Sequence, residues 1–217
     1  MTDLPLITET LAQIKSWAIA HAPEVTFRPP ASPAAIENFT KKSGLPCPED
    51  LRQMLLMMDG ETRQSAGMIG NWRLMPIGEI QAAWGLLSQL ALKGAFADQQ
   101  ALPSPYIRKA WWHPAWIPIV SSDAGDYFCV DVDPLESARY GQVLLFLRNQ
   151  PQRVLVAASL SAWFDRIARD LSAGIYRYTP EAGFDNEAFM RASLEDKHIF
   201  DEQRGTLIAY NPSGLNH

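Results

Sequence analysis

The segment 116–157 decides the fold, and it reads WIPIVSSDAGDYFCVDVDPLESARYGQVLLFLRNQPQRVLVA. Runs of β-branched, aromatic and aliphatic residues alternate in it with turn residues, which is typical of successive short strands. The pattern predicts strands at 116–121, 126–132, 142–147 and 153–157. Because the connections are short, we expect each strand to pair antiparallel with the next.

Apolar residues at helical spacing flank this strand segment on both sides. They predict helices at 6–20, from Pro33 to a stop at Gly44, from Glu49 to a stop at Gly60, at 78–92 and at 159–173. Short extended pieces are expected near Met68 and at 73–75, and the helix at 78–92 is expected to cover the sheet. Helices followed by strands indicate an α+β fold, with helices packed on a mainly antiparallel sheet in a single domain.

Length and composition set the domain organisation. The chain has 217 residues, of which 47% are hydrophobic and 20% charged, as expected for one globular domain. We expect this domain to span 1–174, and 175–217 to form a C-terminal extension that packs onto it before a frayed end at 211–217. The packing is expected to use the aromatic residues Tyr176, Tyr178, Phe184, Phe189 and Phe200.

Charge and hydropathy argue against two classes of partner. The net charge is −5 and no basic block occurs, so binding to nucleic acid is not expected. No apolar run approaches the roughly 18 residues of a membrane span, and the first residues are acidic rather than basic, so neither membrane insertion nor secretion is expected. Cys47 and Cys129 lack CxxC spacing, which predicts inert, reduced thiols in the cytoplasm.

Several separate pieces of the chain resemble the SUKH superfamily: WHPAWIPI (112–119), DAGDYFCVDVDP (123–134) and GQV (141–143). Supporting pieces are Leu45-Pro46 before a helix, Asp59-Gly60 after it, and Ser159-Leu160 leading to Trp163. The resemblance covers roughly 30–173. It departs from the family pattern at Ala124, where a second glycine often stands.

The resemblance implies helices packed on an antiparallel sheet. For bacterial members it implies immunity proteins that bind and neutralise polymorphic toxins, often nucleases. For fungal members it implies regulatory scaffolds in cell-wall and glucan synthesis that carry long disordered arms.

Four carboxylates form the densest acidic group of the sequence: Asp123, Asp126, Asp131 and Asp133. Three interpretations remain open, namely aspartates that shape turns and strand ends, an acidic patch that binds a partner, and a cation site. Strand alternation places Asp131 opposite the apolar Phe128 and Val130, so we expect it on the more exposed face or at the edge.

Two adjacent tryptophans, Trp111 and Trp112, precede the first strand of the segment. On an extended chain they point in opposite directions, so either both pack in the core or one serves as an exposed anchor for a partner. The chain shows no GxSxG elbow, no phosphate loop and no HxxxH spacing, and His113 is expected to be packed or on the surface. We therefore predict no catalytic, cofactor-binding or metal-binding residues.

The sequence thus predicts a non-catalytic protein-binding module. Its partner-binding residues are predicted to be Trp111, Trp112, Asp123, Asp126, Asp131 and Asp133. The favoured hypothesis is an immunity protein that neutralises a toxin by direct binding, and the alternative is a regulatory scaffold in cell-wall synthesis or signalling. The identity of the partner and the oligomeric state stay open.

Overall fold

The computed structural model describes residues 6–136, 139–175, 177–180, 183–184, 199–201 and 206–208. The helices among them are α1 (Ile7–His21), α2 (Pro33–Ser43), α3 (Glu49–Met57), α4 (Ile77–Leu92) and α5 (Leu160–Ala173). The strands are β1 (Arg73–Leu74), β2 (Trp116–Ser121), β3 (Tyr127–Asp131), β4 (Gln142–Phe146), β5 (Arg153–Ala157), β6 (Tyr178–Thr179), β7 (Gly183–Phe184), β8 (Ile199–Asp201) and β9 (Thr206–Ile208). The predicted α+β class is confirmed.

The first five strands form one sheet in the order β1-β2-β3-β4-β5, and every neighbouring pair is antiparallel. The four strands predicted between 116 and 157 are β2 to β5, so the predicted antiparallel pairing is confirmed. The register places Trp116, Asp131 and Gln142 side by side on adjacent strands.

One face of the sheet carries the main hydrophobic core. Phe128 and Val130 of β3 point to this face and meet helix α5, whose Trp163 ring lies 4.8 Å from that of Phe128. Helix α5 packs on β4 and β5, and α1 packs in turn on α5 and α3. The buried residues of α1 are Ile7, Thr10, Leu11, Ile14 and Ala18.

The opposite face of the sheet is also covered. Cys129, Leu144 and Phe146 point there and form a second cluster with Ile107 and Trp112 from the segment before β2. Helix α4 packs on β2 and contributes Trp84, Leu87 and Ala91 to this cluster, so the prediction that it covers the sheet is confirmed. A sheet buried on both faces explains why β2 and β4 are buried at every position.

Cap residues mark both ends of α2 and the start of α5, whereas α3 ends at Met57 rather than at the predicted Gly60. Ser32 accepts a hydrogen bond from the Ala35 amide at 3.2 Å at the start of α2, and Ser159 does the same for Ala162 at 3.1 Å in α5. Gly44 ends α2 with a left-handed φ of 70°, a conformation that glycine adopts without penalty.

Part of the C-terminal extension packs on the domain. The Phe184 backbone exchanges hydrogen bonds with the Asn71 side chain, and the Phe184 ring lies 5.9 Å from that of Trp17. Tyr178 packs against the same core. Tyr176, Phe189 and the predicted frayed end at 211–217 lie outside the described residues, as does the side chain of Phe200, and the boundary at residue 174 stays a prediction.

Candidate functional site: two acidic ends and a cleft

Asp123 and Asp126 lie in the turn between β2 and β3. Asp123 has a positive φ of 60°, and its amide donates to Ser121 Oγ at 2.9 Å. Asp126 Oδ1 accepts the Arg148 amide at 2.8 Å, which ties this turn to the end of β4. Both aspartates therefore shape the hairpin, in agreement with the turn-forming interpretation.

The Asp123 carboxylate also pairs with a buried arginine. It accepts from Arg73 Nε at 3.2 Å and from Arg73 Nη2 at 2.9 Å, while its own side chain is 65% exposed. Glu79 contacts the same Arg73 at 3.2 Å and pairs with Arg63 at 3.4 Å. The Asp123 hydrogen bond is the main cause of the raised pKa of Arg73. This end of the sheet carries a mixed ion-pair network rather than an uncompensated acidic patch.

Asp131 lies at the other end of β3 and is 0% exposed. Its Oδ2 accepts from Gln142 Nε2 at 2.9 Å and its Oδ1 from the Asp133 amide at 3.0 Å. Burial raises the pKa of the Asp131 carboxyl. The expectation that Asp131 lies on the more exposed face or at the edge is wrong, because β3 is the middle strand of the sheet and the segment before β2 covers that face with Ile107 and Trp112.

Asp133 lies two residues beyond Asp131, and its side chain is about half exposed. Arg108 donates to it through Nη2 at 2.7 Å, and this hydrogen bond lowers the pKa of Asp133. His113 Nε2 lies 4.0 Å from the same carboxylate, and burial lowers the pKa of His113. His113 is thus partly packed, as predicted, beside an existing ion pair.

The four aspartates do not form one site. Asp131 lies five positions beyond Asp126 along the extended chain of β3, which at about 3.3 Å per residue places them on the order of 17 Å apart. Among the described residues, no group of three or more His, Cys, Asp or Glu side chains is arranged to hold a metal ion.

The two tryptophans have different environments. Trp112 is 4% exposed, donates from Nε1 to Ser88 Oγ at 3.3 Å and makes edge contacts with Trp116 and Phe146. Trp111 is partly exposed, and the Arg153 guanidinium lies 4.8 Å from its ring centre. Trp112 is therefore a core residue, and Trp111 is the one of the pair with an accessible surface.

Sequence reasoning missed a cleft of about 270 Å³ where α3 and α5 begin. We call it the α3–α5 cleft, and its lining includes Pro48, Glu49, Asp50, Val130, Tyr140 and Leu160. The serine cap of α5 and the acids in the first turn of α3 are recognisable in the sequence. Their convergence is not, since more than a hundred residues separate the two helix starts.

One hydrogen-bonded pair holds the cleft together. Asp50 Oδ2 accepts from the Ser161 hydroxyl at 2.7 Å and from the Ser161 amide at 3.2 Å. The carboxylate of α3 thereby caps the first turn of α5, where the helix dipole favours negative charge. Tyr140 also lines the cleft and is 45% exposed.

Neither cysteine has the properties of a nucleophile. Both are free thiols. Burial raises the pKa of Cys47 to about 11 and that of Cys129 well above its usual value, so both stay protonated near neutral pH. No helix in the described part of the chain is long and apolar enough to cross a membrane.

The segments that form the sheet, the second cluster and the cleft lie within a range that the model of a known family matches. The model of the SMI1/KNR4 family (SUKH-1) matches residues 30–166, well over half of the chain. The chain belongs to this family. The predicted SUKH resemblance is therefore confirmed, and the matched range of this SMI1/KNR4 domain runs from before α2 into α5.

Three named proteins similar to this chain come from fungi. The chain is 26% identical to "Cell wall biosynthesis/cell cycle regulator smi1" of Schizosaccharomyces pombe over 78% of the chain and 37% of that protein. It is 29% identical to "Glucan synthesis regulatory protein" of Neurospora crassa over 58% of the chain and 31% of that protein. It is 31% identical to "Cell wall assembly regulator SMI1" of Saccharomyces cerevisiae over 36% of the chain and 15% of that protein. The chain thus covers about a third or less of each relative's length.

Proposed function

We propose that this SMI1/KNR4-family chain is a non-catalytic protein-binding module that acts in a regulatory assembly of cell-wall or glucan synthesis. One observation carries the proposal: the family model covers 30–166, and the three relatives above are named as regulators rather than enzymes. A cytoplasmic location is part of the proposal, and the two free thiols support it.

The structure suggests which of the predicted partner-binding residues could touch a partner directly. Asp123 and Asp133 keep about half or more of their side chains exposed, and Trp111 keeps part of its ring accessible. Asp131 and Trp112 are buried, so we assign them a role in holding these neighbours in place. Asp126 is engaged in the hairpin through Arg148, so its role would also be largely one of positioning.

The toxin-immunity hypothesis has weaker support. None of the three relatives described above has a name that refers to immunity or toxins, whereas all three names refer to regulation. The regulatory alternative of the sequence analysis is therefore the better supported of the two. Immunity remains a distinguishable outcome of the following experiment.

The test is affinity capture of the tagged chain from its native host, combined with deletion of its gene. We expect capture of a component of wall synthesis or its signalling, and a deletion strain that grows poorly on wall-perturbing agents. Asp133→Lys should weaken capture at low salt, while Glu37→Lys on the exposed side of α2 should not.

Asp126→Lys is a poor choice for this test, because it removes the acceptor for the Arg148 amide. Capture of a toxin whose activity the chain blocks would replace the regulatory proposal with immunity. Normal growth of the deletion strain together with no specific partner would contradict both.

A further inference from the structure

We infer that Trp17 of α1 and the turn around Asn71 form a docking groove for an extended segment of a partner protein that carries glycine followed by an aromatic residue. We call it the Asn71 groove. In this chain Gly183 and Phe184 of β7 occupy it, so a partner binds by displacing them. The inference rests on the proposed protein-binding function and names the kind of segment that one surface of the module recognises.

Asn71 contacts the backbone of its occupant rather than a side chain. Its Nδ2 donates to the Phe184 carbonyl at 2.7 Å, and its Oδ1 accepts from the Phe184 amide at 2.6 Å. An asparagine side chain has both a donor group and an acceptor, so it satisfies both main-chain groups of one residue at once. Peptide-binding sites commonly gain affinity from main-chain hydrogen bonds and specificity from side-chain pockets. Because every segment carries the same backbone groups, this contact is available to a partner as well as to Phe184.

The turn that carries Asn71 is locally fixed. Asn71 and Gly70 are its two central residues and have φ values of 69° and 56°. The Ile69 and Trp72 backbones on either side exchange hydrogen bonds at 3.1 and 3.0 Å. Positive φ at both central residues is the pattern of a type I′ turn, and asparagine is among the few non-glycine residues that adopt it readily. A side chain held on such a turn loses little conformational freedom when it binds a peptide.

An aromatic contact supplies the second recognition element. The Phe184 side chain is 2% exposed, and its ring lies 5.9 Å from that of Trp17, which in turn stacks on His21 at 4.8 Å. Contacts between aromatic rings contribute about 0.5–1.5 kcal/mol beyond the burial of their area. The groove therefore favours an aromatic residue over an aliphatic one at the position of Phe184.

The position before the aromatic residue requires glycine. A Cβ on Gly183 would lie 2.6 Å from Asn71 Oδ1, the atom that accepts the Phe184 amide. Gly183 also has a φ of 70°, which residues with a side chain rarely adopt. Glycine followed by an aromatic residue is thus the pattern that the groove selects.

The present occupant is a small appendage of the domain. Strands β6 and β7 have two residues each and pair only with one another, and a two-stranded hairpin is at best marginally stable by itself. The range 30–166 that the family model matches contains Asn71 but neither of these strands. The domain therefore contributes the asparagine contact, while the segment that fills the groove here lies outside the matched range.

The experiment measures binding of a fluorescently labelled peptide, RYTPEAGFDN (177–186), to the full chain by fluorescence anisotropy. The wild type should bind it weakly, because its own tethered segment competes at an effective concentration on the order of millimolar. Phe184→Ala in the chain should tighten peptide binding by about tenfold, since the tethered competitor then lacks its ring. Gly183→Ala in the chain should have the same effect by a different route, since it disturbs the contact with Asn71 and keeps the ring.

Matched peptides and variants identify the groove. Gly183→Ala and Phe184→Ala versions of the peptide should each bind about tenfold more weakly than the native peptide, to the wild type and to both chain variants. Adding Asn71→Gly to the Phe184→Ala chain removes the amide contact, keeps a residue that tolerates positive φ, and should abolish the tightening. Asn149→Gly, the same change in the exposed turn between β4 and β5, should not. Circular dichroism reports whether each variant is folded.

Equal binding of the native and alanine peptides to the wild type would overturn the inference, whatever the chain variants do. Tight binding that survives Asn71→Gly would also overturn it, as would the lack of saturable binding to the wild type. Each of these results would leave the regulatory proposal intact, because that proposal is tested by partner capture and gene deletion. Conversely, selective peptide binding without any captured partner would support the groove while the proposed function fails.

Discussion

Glu61 offers a sharp test of the electrostatics of this fold. It follows Gly60, is 1% exposed, and accepts hydrogen bonds from the Leu74 amide at 2.9 Å and from the Met68 amide at 3.2 Å. The Ser65 hydroxyl donates to its other oxygen. Burial is the largest effect on this carboxyl and raises its pKa from 4.5 to about 7, although these hydrogen bonds oppose the rise.

The direction of the pH dependence follows from this pKa. The folded chain binds the Glu61 proton more tightly than the unfolded chain does, so protonation stabilises the fold. This contribution is complete below pH 4.5 and is lost as the pH rises through 7. A pKa difference of this size corresponds to about 3 kcal/mol of unfolding free energy.

Glu61→Gln removes this dependence and keeps an oxygen acceptor for the Leu74 and Met68 amides. We expect the wild type to lose about 2–3 kcal/mol relative to the variant between pH 5 and pH 8. Urea denaturation across that range measures the difference, in which the pH effects of all other groups cancel. Parallel stability curves for the two proteins would refute the argument, and Glu37→Gln should give such a parallel curve because its side chain is exposed.

Five further substitutions, two of them controls, test backbone clearance, core packing and an ion pair. Gly60→Ala should lower the free energy of unfolding, measured in urea, by about 2–4 kcal/mol, because a Cβ there would lie 2.5 Å from the Met75 carbonyl carbon. Gly44→Ala is the control, since Gly44 also has a positive φ but lies in open space, and it should cost about 1 kcal/mol. Trp112→Ala should cost about 3–5 kcal/mol in the same assay, more than any loss from partly exposed Trp111→Ala. Asp123→Asn should cost at most about 1 kcal/mol and less at high salt in thermal melts, because its carboxylate is mostly exposed and Glu79 still pairs with Arg73.

The sheet could be predicted from sequence because its signals are local. The strand predicted at 142–147 is β4 (Gln142–Phe146), and the helix predicted at 78–92 is α4 (Ile77–Leu92). Turn residues and caps such as Ser32 act within a few residues of their position, so a single sequence contains them.

Burial and the cleft could not be predicted in the same way. Alternation along β3 shows that Asp131 and Phe128 point to opposite faces, but not that the segment before β2 also covers the face of Asp131. The α3–α5 cleft depends on the pairing of Asp50 with Ser161, which tertiary packing alone brings together. The family, by contrast, was recognisable from local motifs such as 112–119 and 123–134, which lie within the matched range 30–166.

The packing of α1 on α5 has a practical consequence for work on this family. The matched range 30–166 omits α1 entirely and stops inside α5, before Ile167, Ala168 and Leu171. A fragment cut at those limits would lack Leu11 and Ile14 of α1, so the core residues that pack against them would be exposed to water. It would also lack the last two turns of α5. Such a fragment is expected to aggregate, so the smallest autonomous folding unit of this chain is larger than the region by which relatives are recognised.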